Sequence, residues 1–159
     1  MDEFKDVLSK ADAGDSDAQF RAGSMLFHGE KTEKNTERAI DYFRLSAEQG
    51  HVKAQFNLAM LLYNHVKIPQ ELLESFRWAK QASLQGDSLA QCLFGVMYEE
   101  GNSVEKDLDE AKKWFEVAAE QGEVQAQYRL GRLLKIVENE NQDFIMARKW
   151  LQLASEQGL

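Results

Sequence analysis

The residues able to do chemistry in this chain are few and scattered. Its histidines are His28, His51 and His65, and its one cysteine is Cys92. A helical metal site needs ligands about four residues apart, and a thiol nucleophile needs a base beside it. No histidine here stands four residues from another or in a patterned cluster with carboxylates, and no Cys–His signature surrounds Cys92. The histidines are therefore expected at loops and helix ends, and Cys92 as a small packed residue. Two matches to G-x-x-x-x-G spacing lack the lysine and the strand of a phosphate loop. Acid–base groups such as Glu110 with Lys113 and Glu116, or Glu37 with Asp41 and Arg44, fit exposed helix faces, where each pair contributes a few tenths of a kcal/mol. No catalytic residue, metal ligand or cofactor is predicted.

Composition narrows the partners. A formal charge of −8 and a pI of about 4.9 oppose binding to nucleic acid, which needs a basic face, and to anionic membrane surfaces. A single cysteine allows no intrachain disulfide. The N-terminal MDEFKDVLSKADAG has neither the charge nor the apolar run of a signal peptide, and no stretch is apolar over a membrane-spanning length, so a cytoplasmic protein is expected.

The elements that position these residues repeat. Gly14, Gly50, Gly86, Gly122 and Gly158 recur every 36 residues, and the same shift aligns Ala18, Ala54, Ala90 and Ala126. Gln19, Gln55, Gln91 and Gln127 align likewise, as do Gln49, Gln85, Gln121 and Gln157, while Tyr42 is followed by Trp78, Trp114 and Trp150. A fixed period of this size marks stacked helix pairs. In Asp87–Gly122, the clearest copy, Ala90, Phe94, Met97, Tyr98 and Gly101 fall at helical spacing, and so do Ala111, Trp114, Phe115 and Ala118. Asp107 is an N-cap candidate for the second helix, with Asn35 and Asp143 in its column and Glu71 as a weaker substitute.

Two glycine columns have different meanings. Gly50, Gly86, Gly122 and Gly158 sit where a second helix must stop in a left-handed conformation. Gly23, Gly95 and Gly131 sit mid-helix, with Ala59 in the second copy, and mark close helix–helix contact. The aromatic column Tyr42, Trp78, Trp114 and Trp150 is structural, and Trp114→Ala is expected to cost about 3–5 kcal/mol.

These columns resemble the Sel-one-like repeats (SLR), relatives of the tetratricopeptide repeats. The third copy carries the resemblance through Ala90, Gln91, Gly95, Tyr98, Gly101, Val104, Asp107, Ala111, Trp114, Ala118, Ala119, Gln121 and Gly122. It implies an all-α, right-handed α/α superhelical solenoid and a non-catalytic protein-interaction module acting as adaptor, scaffold or regulator. Some cysteine-rich secreted members bind or slowly hydrolyse β-lactams. This chain lacks their paired cysteines, so that activity is kept only as an alternative requiring Cys92.

The expected organisation is one repeat domain over 1–159: a capping helix at 1–14 and repeats at 15–50, 51–86, 87–122 and 123–158. In the capping helix Asp6 takes the tryptophan column. The second repeat has His65 for the loop glycine and the only proline, Pro69, which should bend its connector differently. The fourth has Val137 for that glycine, so a longer first helix is expected. No polar helix follows Leu159, which predicts exposure of Leu153 and its neighbours, and either self-association there or a fragment of a longer solenoid.

Columns 20, 24 and 27 lie about 200° around the first helix from column 18, at about 100° per residue. The resemblance makes that face concave. It reads Phe20, Ser24, Phe27; Phe56, Met60, Tyr63; Cys92, Val96, Glu99; Tyr128, Arg132, Lys135. Column 20 either packs between neighbouring first helices or joins this face. Phe27, Met60 and Tyr63 suggest anchors for a partner's helix or extended segment, with Arg132 and Lys135 selecting an acidic group.

Overall fold

The computed structural model describes residues 3–65, 68–137 and 141–159, with the side chains of 65, 136, 137 and 141–143 outside the description. Among the described residues there are nine α-helices and no strand: α1 (Glu3–Asp12), α2 (Ser16–His28), α3 (Thr36–Glu48), α4 (Val52–His65), α5 (Pro69–Leu84), α6 (Ser88–Glu100), α7 (Leu108–Glu120), α8 (Val124–Val137) and α9 (Asn141–Glu156). No described helix is long and apolar enough to cross a membrane. The chain forms two compact units, Met1–Gln85 and Gly86–Leu159. In the first, α1 packs on α2, α2 on α3, α3 on α4 and α4 on α5; in the second, α6 packs on α7, α7 on α8 and α8 on α9.

Local chemistry sets the helix ends. At the start of α2 and α6, the Asp15 and Asp87 carboxylates accept from the backbone N–H of Ala18 at 2.7 Å and Ala90 at 2.8 Å. His51 does the same for α4 through Nδ1, 3.1 Å from the Ala54 nitrogen. Asn35 and Asp107 cap α3 and α7 as predicted. Two other expected caps fail. Helix α5 starts at Pro69 behind Ile68, which makes no side-chain cap bond, so Glu71 lies inside the first turn. Proline suits that place because its ring presets φ and the N–H it lacks would have no helical acceptor. Asp143 lies within the described span of α9, Asn141–Glu156, and so is not its N-cap.

Gly29 and Gly101, both at φ 74°, end α2 and α6, whereas α4 and α8 run on through His65 and Val137 in the same column. The second-helix stops Gly50, Gly86 and Gly122 have φ of 88°, 90° and 90°, and a Cβ on any of them would meet nothing within 4 Å. Their requirement is conformational alone. The mid-helix glycines are set by packing: a Cβ on Gly23, Gly95 or Gly131 would come within 2.8, 2.7 and 2.6 Å of Phe43, Phe115 and Leu151. The second repeat has Ala59 with Ala79 in the facing column, and there the Ser75 hydroxyl donates to the Ala59 carbonyl at 2.6 Å. Alanine is tolerated at 59 because the ring or branched side chain opposite has also gone.

Buried glutamines tie successive helix pairs together. Nε2 of Gln19, Gln55 and Gln127 donates to the carbonyls of Ala11, Ala47 and Ala119 at 3.1, 3.2 and 3.3 Å. Their Oε1 atoms, and that of Gln91, accept from Gln49, Gln85, Gln157 and Gln121 at 2.7, 2.7, 3.0 and 2.6 Å. Burying an amide is tolerable because donor and acceptor are both satisfied. In the first unit the apolar core gathers Phe4, Val7, Leu26, Phe43, Leu58 and Leu62, with Asp6 of α1 exposed. In the second it includes Phe94, Met97, Phe115, Leu130 and Leu133. At α9 the expected exposure falls on Phe144, Ile145 and Met146, while Leu153 is half-buried.

Candidate partner-binding surface

In the first unit, Phe20, Ser24 and Phe27 of α2 and Phe56, Met60 and Tyr63 of α4 are all half-buried. Phe20, set about 200° around the first helix from column 18, reaches both the second helix and the start of the next first helix. Its ring centroid lies 5.8 Å from that of Phe43 on α3 and stacks on His51 at 4.6 Å. A long aromatic side chain leans over the preceding turn, which a wheel of backbone angles ignores. Phe27 packs against the core, with the Lys34 ammonium 5.2 Å from its ring centroid and His28 edge-on at 5.0 Å. Beside this face, Asp17, Phe20, Ser24, His51 and Lys53 line an open depression of ≈ 650 Å³ between α2 and α4. His51 holds its place from both sides, because Nδ1 caps α4 while Nε2 lies 3.3 Å from Asp17 Oδ1.

In the second unit the same columns are largely spent internally. Cys92 and Val96 are each only 7% exposed. Glu99 pairs with Arg129 at 2.7 Å, and Arg132 lies over the Tyr128 ring at 5.6 Å. Arg132 and Lys135 are exposed. Burial, with the Glu123 charge behind it, pushes the Cys92 thiol up to about 12, so it stays protonated near neutral pH and lacks the thiolate that nucleophilic attack requires. Among the described residues no group of three or more His, Cys, Asp or Glu is placed to hold a metal ion.

The aromatic column is half-buried throughout. The Tyr42 hydroxyl donates to Asp12 at 3.0 Å, Trp78 Nε1 donates to Glu74 at 3.2 Å, and Trp114 meets Phe94 edge-on at 5.0 Å. The Trp150 ring has the Lys149 ammonium 5.8 Å from its centroid. The fully buried aromatic rings of the second helices are their neighbours Phe43 and Phe115. Arg44, read from sequence as ordinary surface, reaches Glu74 of α5 through two bonds of 3.0 and 3.4 Å. Burial raises the Glu74 carboxyl, but the bonds from Arg44 and Trp78 outweigh it and leave the group below its ordinary range.

The sequence showed the glutamine columns without their role, since the partners lie 8 and 30 residues away. His51 stands in the column of Asp15 and Asp87, which was the available signal for its capping role.

The Sel1 repeat model matches residues 16–51, 52–87, 88–123 and 124–159. No curated protein matches the chain. Among solved structures, c5321, a protective antigen present in uropathogenic Escherichia coli strains displaying an SLR fold, is 38% identical with a TM-score of 0.88, over 99% of this chain and 34% of that one. A Sel1 repeat protein from Oxalobacter formigenes is 30% identical with a TM-score of 0.84, over 98% of this chain and 64% of that one. The chain thus spans about a third and about two thirds of their lengths. Immunity protein Pa5087 from Pseudomonas aeruginosa, at 16% identity and a TM-score of 0.52 over 98% of this chain and 75% of that one, shares the fold alone. Four consecutive matches, and helix pairs repeating every 36 residues, make the chain an all-α solenoid of the Sel1 repeat family.

Proposed function

We propose that this protein is a non-catalytic interaction module whose α2–α4 face binds a segment of a partner protein. Sel1 repeat proteins are in general protein-interaction modules. The observation that carries the reading is the row of half-buried apolar groups Phe56, Met60 and Tyr63 on α4, in the same repeat columns as Phe20, Ser24 and Phe27 of α2. An amphipathic helix or extended segment would bury these groups as anchors. Val96 and Glu99 contribute least, being buried and ion-paired. The adaptor or regulator acts in the cytoplasm.

Affinity capture from the source cell, identified by mass spectrometry, tests the surface. Changing Met60 and Tyr63 to serine is expected to remove the captured partner while the melting curve is retained; undiminished capture would overturn the assignment. The hydrolase alternative meets a separate check at Cys92. Native protein at pH 8 should react with iodoacetamide far more slowly than urea-unfolded protein, because the buried thiol titrates only at about 12. Equal labelling rates would restore Cys92 as a candidate nucleophile.

A further inference from the structure

We infer that His51 is a pH-sensitive latch: as a neutral imidazole it caps α4 and holds the Phe20 ring, and protonation releases both. The ring is fixed on three sides. Nδ1 accepts the Ala54 N–H at 3.1 Å, Nε2 lies 3.3 Å from Asp17 Oδ1, and the Phe20 ring stacks with centroids 4.6 Å and planes 20° apart. The backbone is anchored as well, since the His51 N–H donates to the Ser46 carbonyl and the His51 carbonyl accepts from the Gln55 N–H. An Nδ1 that accepts carries no proton, so the proton of the neutral ring sits on Nε2, toward Asp17.

The imidazolium cannot keep this arrangement. Both of its nitrogens donate, so an Nδ1–H is set against the Ala54 N–H and the cap is lost. The new charge also lies at the positive end of the α4 dipole. The opposing pull is that of Asp17, but its side chain is 93% exposed, where an ion pair contributes little, and the neutral ring already donates to it. The other charged groups offset one another. Arg21 and Lys53 line the depression with His51, Arg21 pairing with Glu3, and the exposed Glu48 and Lys80 are the last charges on α3 and α5. Loss of the Ala54 acceptor therefore decides the outcome, and a ring that swings away from that N–H leaves Phe20 too.

The same column holds carboxylates in the other repeats, Asp15, Asp87 and Glu123, each accepting from a backbone N–H of the helix it starts. Carboxyl groups as a class titrate near about 4 and imidazole near about 6.5, so mild acid strikes the imidazole cap and spares the carboxylate caps. The latch sits in the wall of the α2–α4 depression, and it stands whether or not that face binds a partner.

Amide hydrogen exchange by NMR on the full chain tests this. From about pH 7.5 to about pH 5 the protection factor of the Ala54 amide should fall about fivefold, the equivalent of one lost cap, while those of Ala18 and Ala90 hold. Nitrogen-15 imidazole spectra should show the Nε2–H tautomer at the higher pH, and the His51–Phe20 ring contacts should vanish at the lower. His51→Asp should abolish the change at Ala54, and Asp17→Asn should keep it. Constant Ala54 protection while the His51 ring titrates, an Nδ1–H tautomer, or the same loss in His51→Asp overturns the inference. So does an equal loss at Ala18 and Ala90, which marks general unfolding in acid.

Discussion

The second repeat and the third keep the same 36-residue period with different parts. In the third, Asp87 and Asp107 cap the two helices, Gly101 ends the first, and Gly95 admits the Phe115 ring. In the second, His51 replaces one aspartate, Pro69 starts the second helix without a side-chain cap, and His65 stands in place of the glycine. Ala59 and Ala79 replace the glycine and the ring, with Ser75 bonded across to Ala59. The period is therefore a property of paired positions, and a departure in one column holds when its partner departs with it. The repeat that departs most is also the one whose first helix presents Met60 and Tyr63.

The largest effect expected from testing that comparison is at the buried ring. Phe115→Ala should cost about 3–5 kcal/mol in urea denaturation. The half-buried Trp114 should cost less when changed to alanine than its place in the repeat suggests, so a larger loss at Trp114 would reverse the ranking. Next, Gly95→Ala should cost about 1–3 kcal/mol, since its Cβ would lie 2.7 Å from the Phe115 ring. Ala79→Phe in the second repeat should be destabilising in the same way, and Ala59→Gly should relieve part of that cost in a double-mutant cycle. Additive losses would show that the two columns are uncoupled. The smallest effect is at the cap: His51→Ala should cost about 1 kcal/mol, while His51→Asp, matching Asp15 and Asp87, should stay near wild type. If both lose equally, the Phe20 stacking outweighs the cap.

Much of the fold was legible because its signals are local. The glycine stops, the Asn35 and Asp107 caps and the run-through at Val137 depend on backbone conformation within one turn. Glu71 failed as a cap for an equally local reason, the proline start of α5, and Asp143 lies inside α9. The proposed binding face was less legible. A helical wheel gives the direction of Cα–Cβ bonds, so it listed Phe20 and Val96 together with Met60, although Phe20 stacks on His51 and Val96 is buried.

The sequence by itself determined the period, the two helices in each repeat, their principal ends and the family, because these follow from residue type at fixed spacing. Only the tertiary structure decided which atoms answer each other across helices: Gln19 with Ala11 and Gln49, Gly95 with Phe115, Arg44 with Glu74. The physical reason is range. Helix formation and capping are settled within about four residues, whereas burial and hydrogen bonding between helices depend on side-chain reach at contacts some 30 residues apart.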